Sequence, residues 1–297
     1  MNTNGKTLRE YVKFRIWHFI EVRKKGLKFE VELAGNCNLN CWGCNHFSPL
    51  INDELLSVDE FRKDFERLGT LFHHKVKRIK LLGGEPLLNP DIEKMMDIAR
   101  KNFKKGEIQI ITNGTLLTRM SDSFWKACKK NGIVINITQY PIKINYEEIK
   151  CLAKKYGVRL FISNADGNKY QEKCAIDLEG KQDIQYAYDN CYISKDCHTL
   201  KNGRMYCCTF APHLSRFRNY FNLDMEILDE NGIDIYQANS EKEILDFLKC
   251  PIPACKYCDV DLRWKREKYP WEISKCKIEE WVEIKEHSCN SEITPIE

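Results

Sequence analysis

From Phe29 to Ser163, short apolar and β-branched runs alternate with longer amphipathic ones, and few folds accommodate that order. Phe29–Leu33, Val76–Leu82, Glu107–Ile111, Ile133–Ile137 and Arg159–Ser163 read as strands. Between them, Ser57–Phe72, Asp91–Phe103, Ser121–Lys130 and Tyr146–Tyr156 carry apolar residues at helical spacing. Ser57 followed by Glu60 makes a capping-box pattern, and Pro90 stands just ahead of the second helix. Strand–helix–strand order with short connections dictates parallel strands, right-handed crossovers and helices covering the sheet. The expected fold is therefore α/β, a partial (β/α)6 parallel barrel whose sixth strand falls near Ile184–Tyr188. An amphipathic helix over residues 7–25 precedes it. Folds of this kind carry their chemistry in the loops that follow strands.

After residue 190 the alternation stops, and nine of the fifteen cysteines lie beyond that point. This divides the chain into an N-terminal helical extension (1–27), a core barrel (28–190) and a small cysteine-rich C-terminal domain (191–297). The N-terminus has no signal-peptide organisation, and no apolar run approaches the ~20 residues needed to cross a bilayer. A cytoplasmic location is expected, where stable disulfides are disfavoured and abundant cysteine points to metal. Cys128 and Cys151 sit alone in helical patterns and read as small apolar side chains. The net charge of +4, with both signs interspersed, gives no reason to expect a nucleic-acid or membrane partner. The run Arg263, Lys265, Arg266, Lys268 reads as a solvated face.

Cys37, Cys41 and Cys44 form CNLNCWGC, a CxxxCxxC triad shortly after the first strand. Soft thiolates suit iron–sulfur clusters, and three of them leave one corner of a cubane without a protein ligand. An open coordination position marks a reactive metal, whereas structural sites are closed. The competing reading is a zinc ion completed by His46.

CxxxCxxC in this place resembles the signature of the radical S-adenosylmethionine (SAM) superfamily. Gly83-Gly84-Glu85-Pro86 after the second strand is similar to the family's GGEP motif, which binds the SAM amino group. Two glycines permit close backbone approach, and a carboxylate can accept from an ammonium. Thr112-Asn113-Gly114 ends the third strand, a position that borders the SAM cleft in similar enzymes. One residue departs from the pattern. The aromatic usually found before the third cysteine is Gly43 here, which leaves Trp42 or Phe47 to pack near the adenine. The resemblance implies a reduced [4Fe-4S] cluster that cleaves SAM to a 5′-deoxyadenosyl radical, which then takes hydrogen from a substrate carbon. It also implies an electron donor of the flavodoxin or ferredoxin type.

In the C-terminal part, Cys191, Gly203, Cys208 and the pair Cys255-Lys-Tyr-Cys258 resemble the layout of SPASM and twitch domains, which hold auxiliary [4Fe-4S] clusters. The ligand set implied is Cys191, Cys208, Cys255 and Cys258. Cys197 competes with Cys191, and Cys207 with Cys208, since neighbours on a strand point to opposite faces. The same four thiols could hold zinc. A thiol outside the set could give hydrogen to a substrate radical, with Cys197 the chosen candidate and Cys207 and Cys250 behind it. Thr138-Gln139-Tyr140-Pro141, after the fourth strand, is expected at the same mouth, and Trp264, Trp271 and Trp281 are expected to pack the C-terminal segment. His73-His74 reads as a surface or cap feature. The expected activity is epimerisation or oxidation of a carbohydrate or other polar small molecule. A peptide-modifying maturase, a glycyl-radical activase, and a non-catalytic electron carrier or zinc-stabilised binding protein are the alternatives.

Overall fold

The computed structural model describes residues 26–163, 170–171, 174–265 and 269–283, so the expected helix over 7–25, Arg266, Lys268 and Cys289 lie outside the described residues. Five parallel strands form first: β1 (Lys28–Ala34), β2 (Arg78–Gly83), β3 (Glu107–Thr112), β4 (Val134–Ile137) and β5 (Arg159–Ile162). The helices that join them are α1 (Val58–Leu71), α2 (Ile92–Asn102), α3 (Asp122–Lys130) and α4 (Tyr146–Tyr156). Three of the four starts have a side-chain cap. Ser57 and Glu60 close the capping box of α1, Ser121 accepts from the Phe124 amide at α3, and Asn145 accepts from the Glu148 amide at α4.

The remaining described elements are β6 (Tyr170–Gln171), α5 (Ile184–Asp189), β7 (Thr199–Lys201), β8 (Arg204–Tyr206), α6 (Leu214–Tyr220), β9 (Gly232–Asp234), α7 (Glu241–Phe247), α8 (Val260–Lys265) and β10 (Tyr269–Pro270). The stretch Ile184–Tyr188 is therefore helix and not the sixth strand. Asp183 caps it by accepting from the Tyr186 amide, a start signal that outweighs the apolar alternation. The sixth parallel strand is β7, which pairs with β1 through Glu30 and Val31. The sheet runs in the order β5-β4-β3-β2-β1-β7-β8-β9 and stays open, and it crosses the boundary expected near residue 190.

Alternation along β1 separates two faces. Phe29 meets Phe65 of α1 at 5.8 Å and Phe103 at 6.2 Å between ring centroids, so this face carries the helices. Burying each such ring stabilises the fold by roughly 1.5–3 kcal/mol. The opposite face carries Glu30, Lys80 and Gln109 in one row, with Asn136 and Phe161 paired in register on β4 and β5. Phe47 anchors the first cysteine loop to the C-terminal part. It is fully buried, with Phe210 and Phe217 each at 5.4 Å and Trp281 at 6.0 Å. No helix among the described residues is long and apolar enough to cross a membrane.

Candidate functional site

The loop holding Cys37, Cys41 and Cys44 leaves the end of β1 and rests directly on the loop after β2. Gly83 has φ 151°, and a Cβ there would lie 2.1 Å from the Ala34 carbonyl oxygen. A Cβ on Gly84 would lie 2.3 Å from that of Asn36. Only glycine permits so close an approach. Two backbone bonds use it: the Gly84 amide donates to Ala34 at 2.8 Å and the Glu85 amide to Asn36 at 3.1 Å.

Glu85 is turned inward and fully buried. It accepts from the Thr112 hydroxyl at 2.7 Å, the Asn113 amide at 2.8 Å and the Leu87 amide at 3.1 Å. Burial pushes its pKa up to about 7 against the pull of those donors. Asn113 extends the bracing, since its side-chain amide donates to Asn38 at 2.8 Å and lies 3.9 Å from the Cys37 sulfur. Gly114 has φ 82°, and the Thr112 hydroxyl accepts from its amide at 3.0 Å. Pro86 opens the short 3-10 turn that follows Glu85. The three motifs thus meet as one interlocked layer at the carboxyl ends of β1, β2 and β3.

The three loop thiols are half-buried. Burial pushes Cys37 up to about 12 despite the Leu39 amide, which donates to its sulfur at 3.5 Å, and Cys44, Glu85 and Cys41 raise it further. Cys41 receives the Trp271 indole N–H at 3.3 Å and a hydrogen bond from Tyr140. Trp271 and Tyr140 therefore flank the loop, with ring centroids 6.0 Å apart. Trp281 donates to the Cys44 carbonyl at 2.8 Å. Sequence reasoning gave the tryptophans packing roles only; nothing in the spacing signals that Trp271 reaches a thiol.

His46 does not complete a zinc site. Its Nδ1 lies 3.1 Å from Glu32 and its Nε2 is 3.4 Å from the Thr209 hydroxyl. Among the described residues, the one group of three ligand-type atoms within 4.8 Å of one another is Glu32, His46 and His213. Arg216 and Lys201 both pair with Glu32, which makes that group an ion-pair network with its charge already balanced. Three soft thiols on one loop suit a cubane, in which each cysteine holds a different iron. Phe47, lost in the core, cannot pack against an adenine. Trp42 is half-buried with its ring 5.0 Å from that of Tyr269.

The second set also assembles. Cys191, Cys207, Cys208, Cys255 and Cys258 line one cavity together with Arg263. Cys191 and Cys208 accept backbone N–H groups, from Ser194 at 3.5 Å and Ala211 at 3.4 Å. The opposite-face argument does not apply at Cys207 and Cys208. They lie past the end of β8, their thiols are hydrogen-bonded to each other, and both line the cavity. Hydrogen bonding from Cys207, helped by the Ala211 and Phe210 amides, pulls Cys208 down to about 7, while the same contact and burial push Cys207 up. Burial likewise pushes Cys258 up to about 12. Cys250 is exposed, and Cys276 points elsewhere, 3.4 Å from the Pro49 carbonyl. Cys197 stays outside the cavity, near Glu30, Lys80 and Asp196, and burial pushes its thiol up to about 12.

Arg263 corrects the reading of a solvated basic face. It is 6% exposed while Lys265 is exposed, because residues two apart on a helix such as α8 point to nearly opposite sides. Cys174, which no motif singled out, is buried and donates to the Gly43 carbonyl at 3.6 Å.

Residues 31–162 match the family profile "Radical SAM superfamily". The chain carries a radical SAM domain. The [4Fe-4S] cluster and SAM expected from the motifs are the cofactors of that superfamily, and three half-buried soft thiols on one loop fit the cluster. Among curated relatives, the chain is 32% identical over 103 residues to the antilisterial bacteriocin subtilosin biosynthesis protein AlbA of Bacillus subtilis, a match that covers 35% of this chain and 22% of AlbA. It is 33% identical over 100 residues to a probable GTP 3′,8-cyclase of Methanothermobacter marburgensis, covering 33% of this chain and 31% of that protein. The chain thus spans less than a third of the length of either relative. Among solved structures, BtrN in complex with AdoMet and 2-DOIA is 19% identical with a TM-score of 0.49, over 80% of this chain and 94% of that one. Native anSMEcpe with bound AdoMet is 15% identical with a TM-score of 0.45, over 79% of this chain and 90% of that one.

Proposed function

We propose that this chain cleaves SAM reductively and takes a hydrogen atom from a carbon of a polar small molecule, epimerising or oxidising it. The observation that carries the reading is the interlock of Cys37, Glu85 and Asn113, which fixes the three-thiol loop against the GGEP and TNG segments. When bound, the cluster supplies the electron that breaks the SAM carbon–sulfur bond. Cys37, Cys41 and Cys44 hold it, Gly83, Gly84 and Pro86 shape the SAM cradle, and Thr112, Asn113 and Gly114 form its far wall. Glu85 positions that wall from behind. Trp271 and Tyr140 shield the loop from water. A donor of the flavodoxin or ferredoxin type supplies the electron.

The polar character of the substrate rests on the face opposite the helices. Glu30, Lys80, Gln109 and Asn136 offer donors and acceptors there, which suits hydroxyl-rich or amino-bearing molecules such as carbohydrates. Cys197 lies beside Glu30 and Lys80, and its burial keeps a transferable S–H hydrogen, as an epimerisation donor requires. Cys191, Cys208, Cys255 and Cys258 hold an auxiliary cluster. Cys208 is preferred to Cys207 because two backbone amides donate to its sulfur.

The test is turnover in heavy water with wild type and Cys197→Ala. Epimerisation predicts product carrying one solvent deuterium and a variant that consumes SAM without releasing that product. Product without deuterium, two electrons more oxidised than the substrate, selects oxidation. Failure of any polar small molecule to promote SAM cleavage, with a peptide doing so, contradicts the reading.

A further inference from the structure

The guanidinium of Arg263 is a buried cation without a carboxylate. It is 6% exposed, and among the described residues no Asp or Glu oxygen lies within ion-pairing distance of it. Its neighbours are sulfur and carbonyl: it donates to the Cys174 carbonyl, sits 5.5 Å above the Phe210 ring centroid, and lines the cavity with Cys191, Cys208, Cys255 and Cys258. Among charged partners, Cys258 acts on it most, then Cys191. A lone charge in such a place is strongly unfavourable unless an anion faces it. Neutral thiols offer none. Four thiolates around a cubane carry a net negative charge that grows by one on reduction, and that charge is what Arg263 faces.

We propose that Arg263 sets the reduction potential of the auxiliary cluster, raising it by stabilising the more negative, reduced state. This rests on the reading that the cavity holds an iron–sulfur cluster. The mechanism is electrostatic: a fixed positive charge in a medium of low dielectric favours whichever partner state is more anionic. None of Cys37, Cys41 and Cys44 is among the leading charged partners of the guanidinium, so their cluster keeps its own potential.

The experiment is an anaerobic potentiometric titration, followed by EPR, of reconstituted wild-type protein, Arg263→Gln and Arg263→Lys, with iron and sulfide assayed on each. The Gln variant is expected to shift the auxiliary equilibrium at least tenfold toward the oxidised state, about 59 mV for one electron. Lys keeps the charge but withdraws it from the thiols, so its shift has the same sign and is smaller. The SAM-binding cluster titrates unchanged in both. Either variant with full iron and an unmoved auxiliary midpoint overturns the role of Arg263, and if the Gln protein loses iron the Lys protein decides alone. A wild-type protein with about four irons and a redox-silent cavity overturns the cluster reading itself.

Discussion

Gly83 and Glu85 do unlike jobs two residues apart. At Gly83 a side chain meets the Ala34 carbonyl and the backbone has φ 151°, so Gly83→Ala both strains the backbone and pushes the cysteine loop away. A stability loss of about 1–3 kcal/mol is expected in chemical denaturation, with lower iron incorporation. Glu85→Gln keeps the shape but turns an NH2 toward groups that themselves donate. Leaving such a donor unmatched costs about 1–3 kcal/mol, so SAM affinity measured by equilibrium binding should fall at least tenfold. Cys208→Ala should remove about four irons per chain and Cys207→Ala none, as read by iron assay after reconstitution. The three-cysteine loop and the family it points to were legible because CxxxCxxC, GGEP and TNG are local patterns, each after its own strand. The inward turn of Glu85 was not, because a carboxylate in a glycine-rich turn looks the same in sequence whether it faces ligand or core. Nor was Arg263, since a run of basic residues does not say which of them its short helix buries.

At the scale of elements, α6 is clamped to β1 and to the cysteine loop. Arg216 donates to Glu32 at 3.0 Å and to the His46 carbonyl at 2.9 Å, and Lys201 of β7 reaches Glu32 at 2.9 Å. Burial would raise the Glu32 carboxyl, but the side chains of His213, His46 and Arg216 beside it hold it well below the usual carboxylate range. His213 is fully buried, and burial outweighs the attraction of Glu32, so its pKa falls to about 4 from 6.5. A histidine held neutral in the fold contributes stability above its unfolded pKa and loses it as the unfolded chain takes up the proton. Stability should therefore decline by about 3 kcal/mol between pH 6.5 and pH 4, before Glu32 is protonated. In urea denaturation across that window, His213→Gln should flatten the decline; an equally steep curve contradicts the assignment. The main alternation was readable because caps and apolar spacing act locally. The sixth parallel strand was not: Thr199–Lys201 is too short to show a pattern, and its place is chosen by β1.

Over the whole molecule, the open sheet and the C-terminal segment form one support for two cysteine sites. The sheet continues through β7 to β9, while Phe47, Trp271 and Trp281 bring late sequence onto the first loop. Cys174 lies between the sites, its sulfur against Gly43 and its carbonyl against Arg263. Long-range joins of this sort leave no periodic trace in sequence, which is why a clean division at residue 190 was expected. The proposed chemistry requires that three thiols at the end of β1 leave one iron open to SAM. EPR of the dithionite-reduced, anaerobic protein with and without SAM tests it most directly. The spectrum should change on adding SAM, with release of 5′-deoxyadenosine, and both effects should vanish in Cys37→Ala, Cys41→Ala and Cys44→Ala. A spectrum indifferent to SAM in fully loaded wild-type protein contradicts the claim.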